Sequence, residues 1–155
     1  MDEALETLEV LMRAALEQAA RARDAGEVPI GAVVAVGGEI VGRGYNQPIG
    51  AGDPTAHAEV VAIREAARRI GNYRLGGAVL CVTIEPCLMC VGALVHARVR
   101  TLIYGAVEPK TGALVSTTRA LETPGLNHRF GVIGGVREET ARELIQQFFR
   151  DKRRL

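Results

Sequence analysis

The sequence predicts an α/β protein, a three-layer α/β/α sandwich on a mixed five-stranded sheet, and three patterns carry that expectation. Residues 30–45 read as a two-stranded hairpin, residues 78–106 as strand, helix and strand, and amphipathic helices stand at both ends of the chain.

In chain order, Leu5, Leu8, Met12, Ala15, Leu16 and Ala19 recur at helical steps, predicting a helix from about residue 2 to Ala25 that Gly26 ends. Ile30 to Val36 is apolar and β-branched, Gly37-Gly38 is a two-residue turn, and Glu39 to Tyr45 returns as the second strand. Asn46 to Pro54 is a polar loop. Val60, Val61, Ile63, Ala66 and Ala67 repeat helically from His57 to Ile70, and Gly71 stops them.

Ala78 to Ile84 is a nearly continuous apolar run, as for a strand buried on both faces. Pro86 opens a helix that runs to about Arg98, and Val99 to Ala106 is another buried strand. A helix between two such strands makes them parallel neighbours with a right-handed crossover. Residues 112–123 predict a short helix, Pro124-Gly125 a break and Phe130 to Val136 a fifth strand. Residues 137–153 predict a terminal helix with Leu144, Ile145, Phe148 and Phe149 inward.

At 155 residues the chain fits one domain, spanning 1–155, with 48% hydrophobic and 24% charged residues. A net charge of +1 gives no bulk attraction to nucleic acid, although Arg150, Lys152, Arg153 and Arg154 gather near the C-terminus. No cationic leader and no apolar run of membrane-spanning length stand out, so a cytoplasmic protein is expected. In that compartment a Cys-x-x-Cys pair suits a metal or redox chemistry better than a structural disulfide.

The chemistry is concentrated in two clusters, Pro54-Thr55-Ala56-His57-Ala58-Glu59 and Glu85-Pro86-Cys87-Leu88-Met89-Cys90, each opening a helix. His57, Cys87 and Cys90 make one imidazole and two thiols, the ligand count of a catalytic zinc that leaves its fourth position to water. A structural zinc wants a fourth ligand, and the other candidates, Cys81, His96 and His128, lie in other segments. Cys87 and Cys90, three apart in the first turn of a helix, share a face and gain thiolate character there. Glu59 is the carboxylate that moves protons at the activated water. Singly, His57 reads as a helix cap, Cys-x-x-Cys as a redox pair or half a structural site, and Glu59 as a surface group. In this order and helix register they form the His-x-Glu, Pro-Cys-x-x-Cys signature of zinc-dependent base deaminases. Cys81 reads as a small buried hydrophobe.

The sequence also resembles one branch of those enzymes, the bacterial tRNA-specific adenosine deaminases, from about Met12 to Arg154. The stretches that carry the likeness include Glu27-Val28-Pro29-Ile30-Gly31, Gly44-Tyr45-Asn46-Gln47-Pro48, Asp53 to Glu59, Val82 to Cys87, Lys110-Thr111-Gly112, Leu126-Asn127-His128-Arg129 and Phe148-Phe149-Arg150. The resemblance implies a cytidine deaminase-like fold, one Zn2+ per subunit on His57, Cys87 and Cys90, and Glu59 as proton shuttle. It further implies that Asn46 orients the base, with Val28 and the backbone at Ala58 and Pro86 lining the pocket. Glu108, Lys110, Asn127, His128, Phe149, Arg150 and Arg153 would contact a tRNA anticodon stem-loop, bound across a homodimer. Where relatives usually carry Asp, this chain has Glu108, a carboxylate on a longer arm. The expected reaction is hydrolysis of the wobble adenosine to inosine. The alternatives are a deaminase of free cytosine, cytidine or guanine, a non-catalytic zinc-stabilised RNA-binding module and, more remotely, a thiol redox protein.

Overall fold

A computed structural model describes residues 3–154, so the predicted helix start at residue 2 lies outside the described residues. Helix α1 spans Glu3–Asp24, followed by the hairpin of β1 (Gly31–Val36) and β2 (Glu39–Tyr45). A four-residue helix α2 (Pro48–Ala51) precedes α3 (Ala58–Ile70), and β3 (Val79–Ile84), α4 (Leu88–Ala97) and β4 (Thr101–Ala106) form the crossover. Strand β5 (Gly131–Ile133) and helix α5 (Glu138–Arg153) close the chain.

The sheet order is β2-β1-β3-β4-β5, with β1 antiparallel to both neighbours and β3, β4 and β5 parallel, which makes the sheet mixed, as predicted. Side-chain alternation along the strands divides the core into its layers. Val33, Ala35, Cys81 and Ile103 face α1, where they pack on Leu11, Met12 and Ala15. Ala32, Val34, Leu80, Val82, Leu102 and Tyr104 face the opposite way, against Ala58, Ala62 and Ala66 of α3 and Val91 and Leu94 of α4. Cys81 is fully buried beside Met12, as a small hydrophobe, and burial pushes its thiol up to about 12. No helix among the described residues is long and apolar enough to cross a membrane.

Small residues bring α3 close to the hairpin. A Cβ on Gly44 would meet the Ala58 carbonyl at 2.5 Å and the Ala62 nitrogen at 2.6 Å, so glycine is what lets α3 lie on β2. The first turn of α3 is thereby held against the end of the hairpin that leads into Asn46.

Five predicted features differ. Residues 112–123 are not a helix but a loop with a single 3₁₀ turn at Ala120–Glu122, because the loop's backbone donors turn inward to a buried carboxylate, Glu85. The Asn46 to Pro54 loop contains α2, whose Ile49 and Gly50 N–H groups are accepted by Glu27, with Pro48 at its first position. Strand β5 is only three exposed residues long, its pairing confined to Thr101–Ile103 of β4. Leu5, placed in the apolar stripe of the first helix, is 53% exposed, and Phe149, expected inward on the last helix, is 42% exposed.

Candidate active site

Both helices that carry the motif residues start at the same end of the sheet. His57 occupies the position before α3 and Cys87 the position before α4, each in extended backbone, so their side chains project from helix N-termini. Neither side chain is spent on capping its own helix. Asn46, arriving from β2, does that work for α3: the Ala58 N–H donates to Asn46 Oδ1 at 2.8 Å. His57 is left free to act as a ligand.

His57 Nδ1 lies 3.6 Å from Cys87 Sγ and 3.6 Å from Cys90 Sγ. Zinc bonds of about 2.3 Å to sulfur and about 2.0 Å to nitrogen at a tetrahedral angle require a nitrogen-to-sulfur separation of about 3.6 Å. The three ligand atoms, all within 4.8 Å of one another, therefore fit a single zinc with a position to spare. This is the only group of three or more His, Cys, Asp or Glu side chains among the described residues that could hold a metal ion.

Cys87, Cys90 and His57 perturb one another. A hydrogen bond from Cys90, with another from His57, draws the Cys87 thiol down to about 4. The same Cys87 contact, together with burial, drives the Cys90 thiol up. His57 is raised by its hydrogen bond to Cys87. Two thiols held this close favour an ion that takes both as thiolates.

Glu59, in the first turn of α3, is only 4% exposed, and burial raises its carboxyl to about 7. A carboxyl at that value both accepts and releases protons near neutrality. It lines, with Val28, Asn46, His57 and Cys87, a cavity of about 190 Å³. Glu108 and Phe149 also line it. A second cavity, of about 580 Å³, shares Ile145 and Phe149 with the first and is lined by Lys110, Arg150 and Arg153.

Most of the sequence-predicted site residues thus meet in these two adjoining cavities. Ala58 and Pro86 are both buried, and the Pro86 carbonyl accepts the Ala113 N–H at 2.9 Å. Asn127 and His128 are placed elsewhere: Arg98 donates to Asn127, and His128 Nε2 bonds the Val99 carbonyl at 2.7 Å, past the end of α4 that is remote from Cys87. Sequence reasoning missed Glu85, Thr111 and Ile145 in the cavity wall. Glu85 lies in the Glu85-Pro86-Cys87 stretch, but nothing local in the sequence signals that its partners lie more than twenty residues downstream.

A family model for the cytidine and deoxycytidylate deaminase zinc-binding region matches residues 5–106. The chain belongs to that family of zinc-dependent deaminases. Within it, the chain is 43% identical over 146 residues to the tRNA-specific adenosine deaminase of Haemophilus influenzae, covering 94% of this chain and 84% of that protein. Against the tRNA-specific adenosine deaminase of Aquifex aeolicus the identity is 43% over 145 residues, with 94% of this chain and 95% of that protein covered. A solved structure from studies of A-to-I editing by tRNA:A34 deaminases at the wobble position superposes with a TM-score of 0.85 at 42% identity, over 87% of this chain and 98% of that one. Those likenesses make the chain a member of the tRNA-specific adenosine deaminase group.

Proposed function

We propose that this chain hydrolyses the wobble adenosine of a tRNA anticodon to inosine, releasing ammonia. The observation that carries the reading is the three-ligand cluster of His57, Cys87 and Cys90 with the buried Glu59 carboxyl beside it, in a cavity that adjoins a second one lined by cations. The names borne by the relatives above supply the substrate.

Bound zinc supplies the Lewis acidity that makes water a nucleophile near neutral pH. Glu59 accepts the proton that the attacking water gives up, protonates the ring nitrogen beside C6, and later passes a proton to the departing amine. The oxygen of water becomes O6 of inosine and the amine leaves as ammonia, so the reaction needs no other reactant. Asn46 has its Oδ1 committed to the Ala58 N–H. Its amide N–H groups, which make no other hydrogen bond among the described residues, are the donors left to orient a purine acceptor.

A cavity of about 190 Å³ is below the 300–1,000 Å³ common for whole small-molecule ligands, which suits one base inserted from a larger substrate. RNA loops can splay out such a base. Phe149, shared by both cavities, offers the flanking bases a stacking face, and Lys110, Arg150 and Arg153 offer the backbone three cations. The reading takes an anticodon stem-loop as the bound unit and a homodimer as the working form. Leu88 at 63% and Met89 at 38% exposure, apolar and beside the ligands on α4, support a subunit contact there. It also takes the cytoplasm as the place where the protein meets tRNA.

The test offers the purified protein an anticodon stem-loop with adenosine at the wobble position, alongside free adenosine, cytidine and guanine, and measures inosine and ammonia. Turnover of the loop, with free substrates left intact, is expected. Turnover of a free base or nucleoside without the loop would refute the tRNA assignment.

A further inference from the structure

The sequence segment that ends in the ligand Cys87 contains a buried carboxylate for which the mechanism above has no use. Glu85, at the end of β3, is 3% exposed and accepts five hydrogen bonds from one downstream loop. The Glu108 N–H (3.0 Å) and the Ser116 hydroxyl donate to Oε1, and the Leu114, Val115 and Ser116 N–H groups donate to Oε2 at 3.0, 2.8 and 3.1 Å. Gly112 passes so close that a Cβ there would collide with the Glu85 carboxylate, so the loop is wrapped tightly around this one group.

That loop carries the wall of the base cavity and the link to the cationic one. Glu108 and Thr111 line the first and Lys110 the second. Glu108 itself turns back, accepting the Lys110 N–H at 2.9 Å, and so fixes the turn from which Lys110 projects. One carboxylate two residues from Cys87 therefore sets the distance between the metal-binding segment and the loop. An ionised acceptor is the group suited to this, because four backbone N–H donors and a hydroxyl converge on its two oxygens.

We infer that Glu85 is a positioning residue for substrate capture: it holds the 108–116 loop in the conformation that receives the anticodon, and takes no part in proton transfer. The inference rests on the proposed function for its substrate and on geometry alone for its loop-ordering part. Glu85→Gln replaces one acceptor oxygen with a donor facing backbone N–H groups, Glu85→Asp keeps the charge on a shorter arm, and Ser116→Ala removes a single donor.

The experiment measures four things on each zinc-loaded variant: zinc per chain, kcat and KM on the stem-loop, and hydrogen exchange at residues 108–116. For Glu85→Gln, zinc remains at one per chain, the amides of Leu114, Val115 and Ser116 lose protection, KM rises about tenfold or more, and kcat stays within about threefold. Glu85→Asp recovers part of the KM, and Ser116→Ala shifts it in the same direction by less. A fall in kcat with KM unchanged, or loop amides as protected as in the parent protein, would overturn the inference. If the parent protein itself fails to turn over the stem-loop, the proposed function falls, and the exchange data still decide whether Glu85 orders the loop. Should Glu85→Gln not fold, Ser116→Ala and Glu85→Asp decide by the same KM and exchange readouts.

Discussion

The close seat of α3 on the hairpin predicts that Gly44→Ala damages the active site without replacing any residue in it. The added methyl would stand 2.5 Å from the Ala58 carbonyl and 2.6 Å from the Ala62 nitrogen, both backbone atoms that cannot rotate away. Ordinary contact begins near 3.4 Å, so the first turn of α3 must retreat by about 0.9 Å, and His57 and Glu59 move with it. Overpacking of this kind costs about 1–3 kcal/mol, which for a domain of this size lowers Tm by about 5 °C. A displacement near 1 Å also costs up to about 100-fold in rate. The assay compares kcat/KM on the stem-loop, zinc affinity by chelator competition, and Tm. Gly76→Ala is the control, since a Cβ there meets nothing within 4 Å and the backbone needs no special conformation. Gly44→Ala with the parent's zinc affinity and kcat/KM would refute the claim that this close approach sets the site.

Four further outcomes are expected. Glu59→Gln keeps its zinc, by elemental analysis, and loses about 10²–10⁴-fold in kcat. Cys87→Ser or prolonged chelation leaves less than one zinc per chain and lowers Tm, because an ion held by three folded-state ligands stabilises the folded chain by mass action. Lys110→Ala and Arg153→Ala each weaken stem-loop binding and reduce the slope of log K against log salt by about 0.7, read from titrations at several ionic strengths. Asp53, in the loop entering α3, is held below the ordinary 3.8 by hydrogen bonds from the Thr55 hydroxyl and N–H and by Arg64. A depressed carboxyl stabilises the fold above its unfolded value and stops doing so as pH falls through its folded one. The Tm deficit of Asp53→Asn should therefore be present at pH 7 and disappear in strong acid.

What could be read from the sequence was whatever a local pattern encodes. The hairpin followed from Gly37-Gly38 between apolar runs, and the parallel pair from two buried runs with a helix between them. The ligand cluster was legible because His57 and Cys87 sit at helix starts, which the changes in periodicity mark. What could not be read depends on contacts distant in sequence. Residues 112–123 have helix-compatible composition, but their N–H donors find Glu85, and that exchange overrides local propensity. Helix α2 is stabilised by Glu27, more than twenty residues earlier, although Pro48 at its start and Gly52 at its end were signals in plain view. Helical spacing puts Phe149 inward, but spacing cannot separate a core position from the rim of a cavity that the core adjoins.

The central claim is that one zinc ion is held by two sulfurs and an imidazole nitrogen, with one position open. Zinc K-edge X-ray absorption on the purified protein tests it directly. The expected spectrum has two sulfur neighbours near 2.3 Å and two nitrogen or oxygen neighbours near 2.0–2.1 Å. A spectrum with four sulfurs or none, or protein that carries no zinc with Cys87 and Cys90 joined in a disulfide, would contradict it.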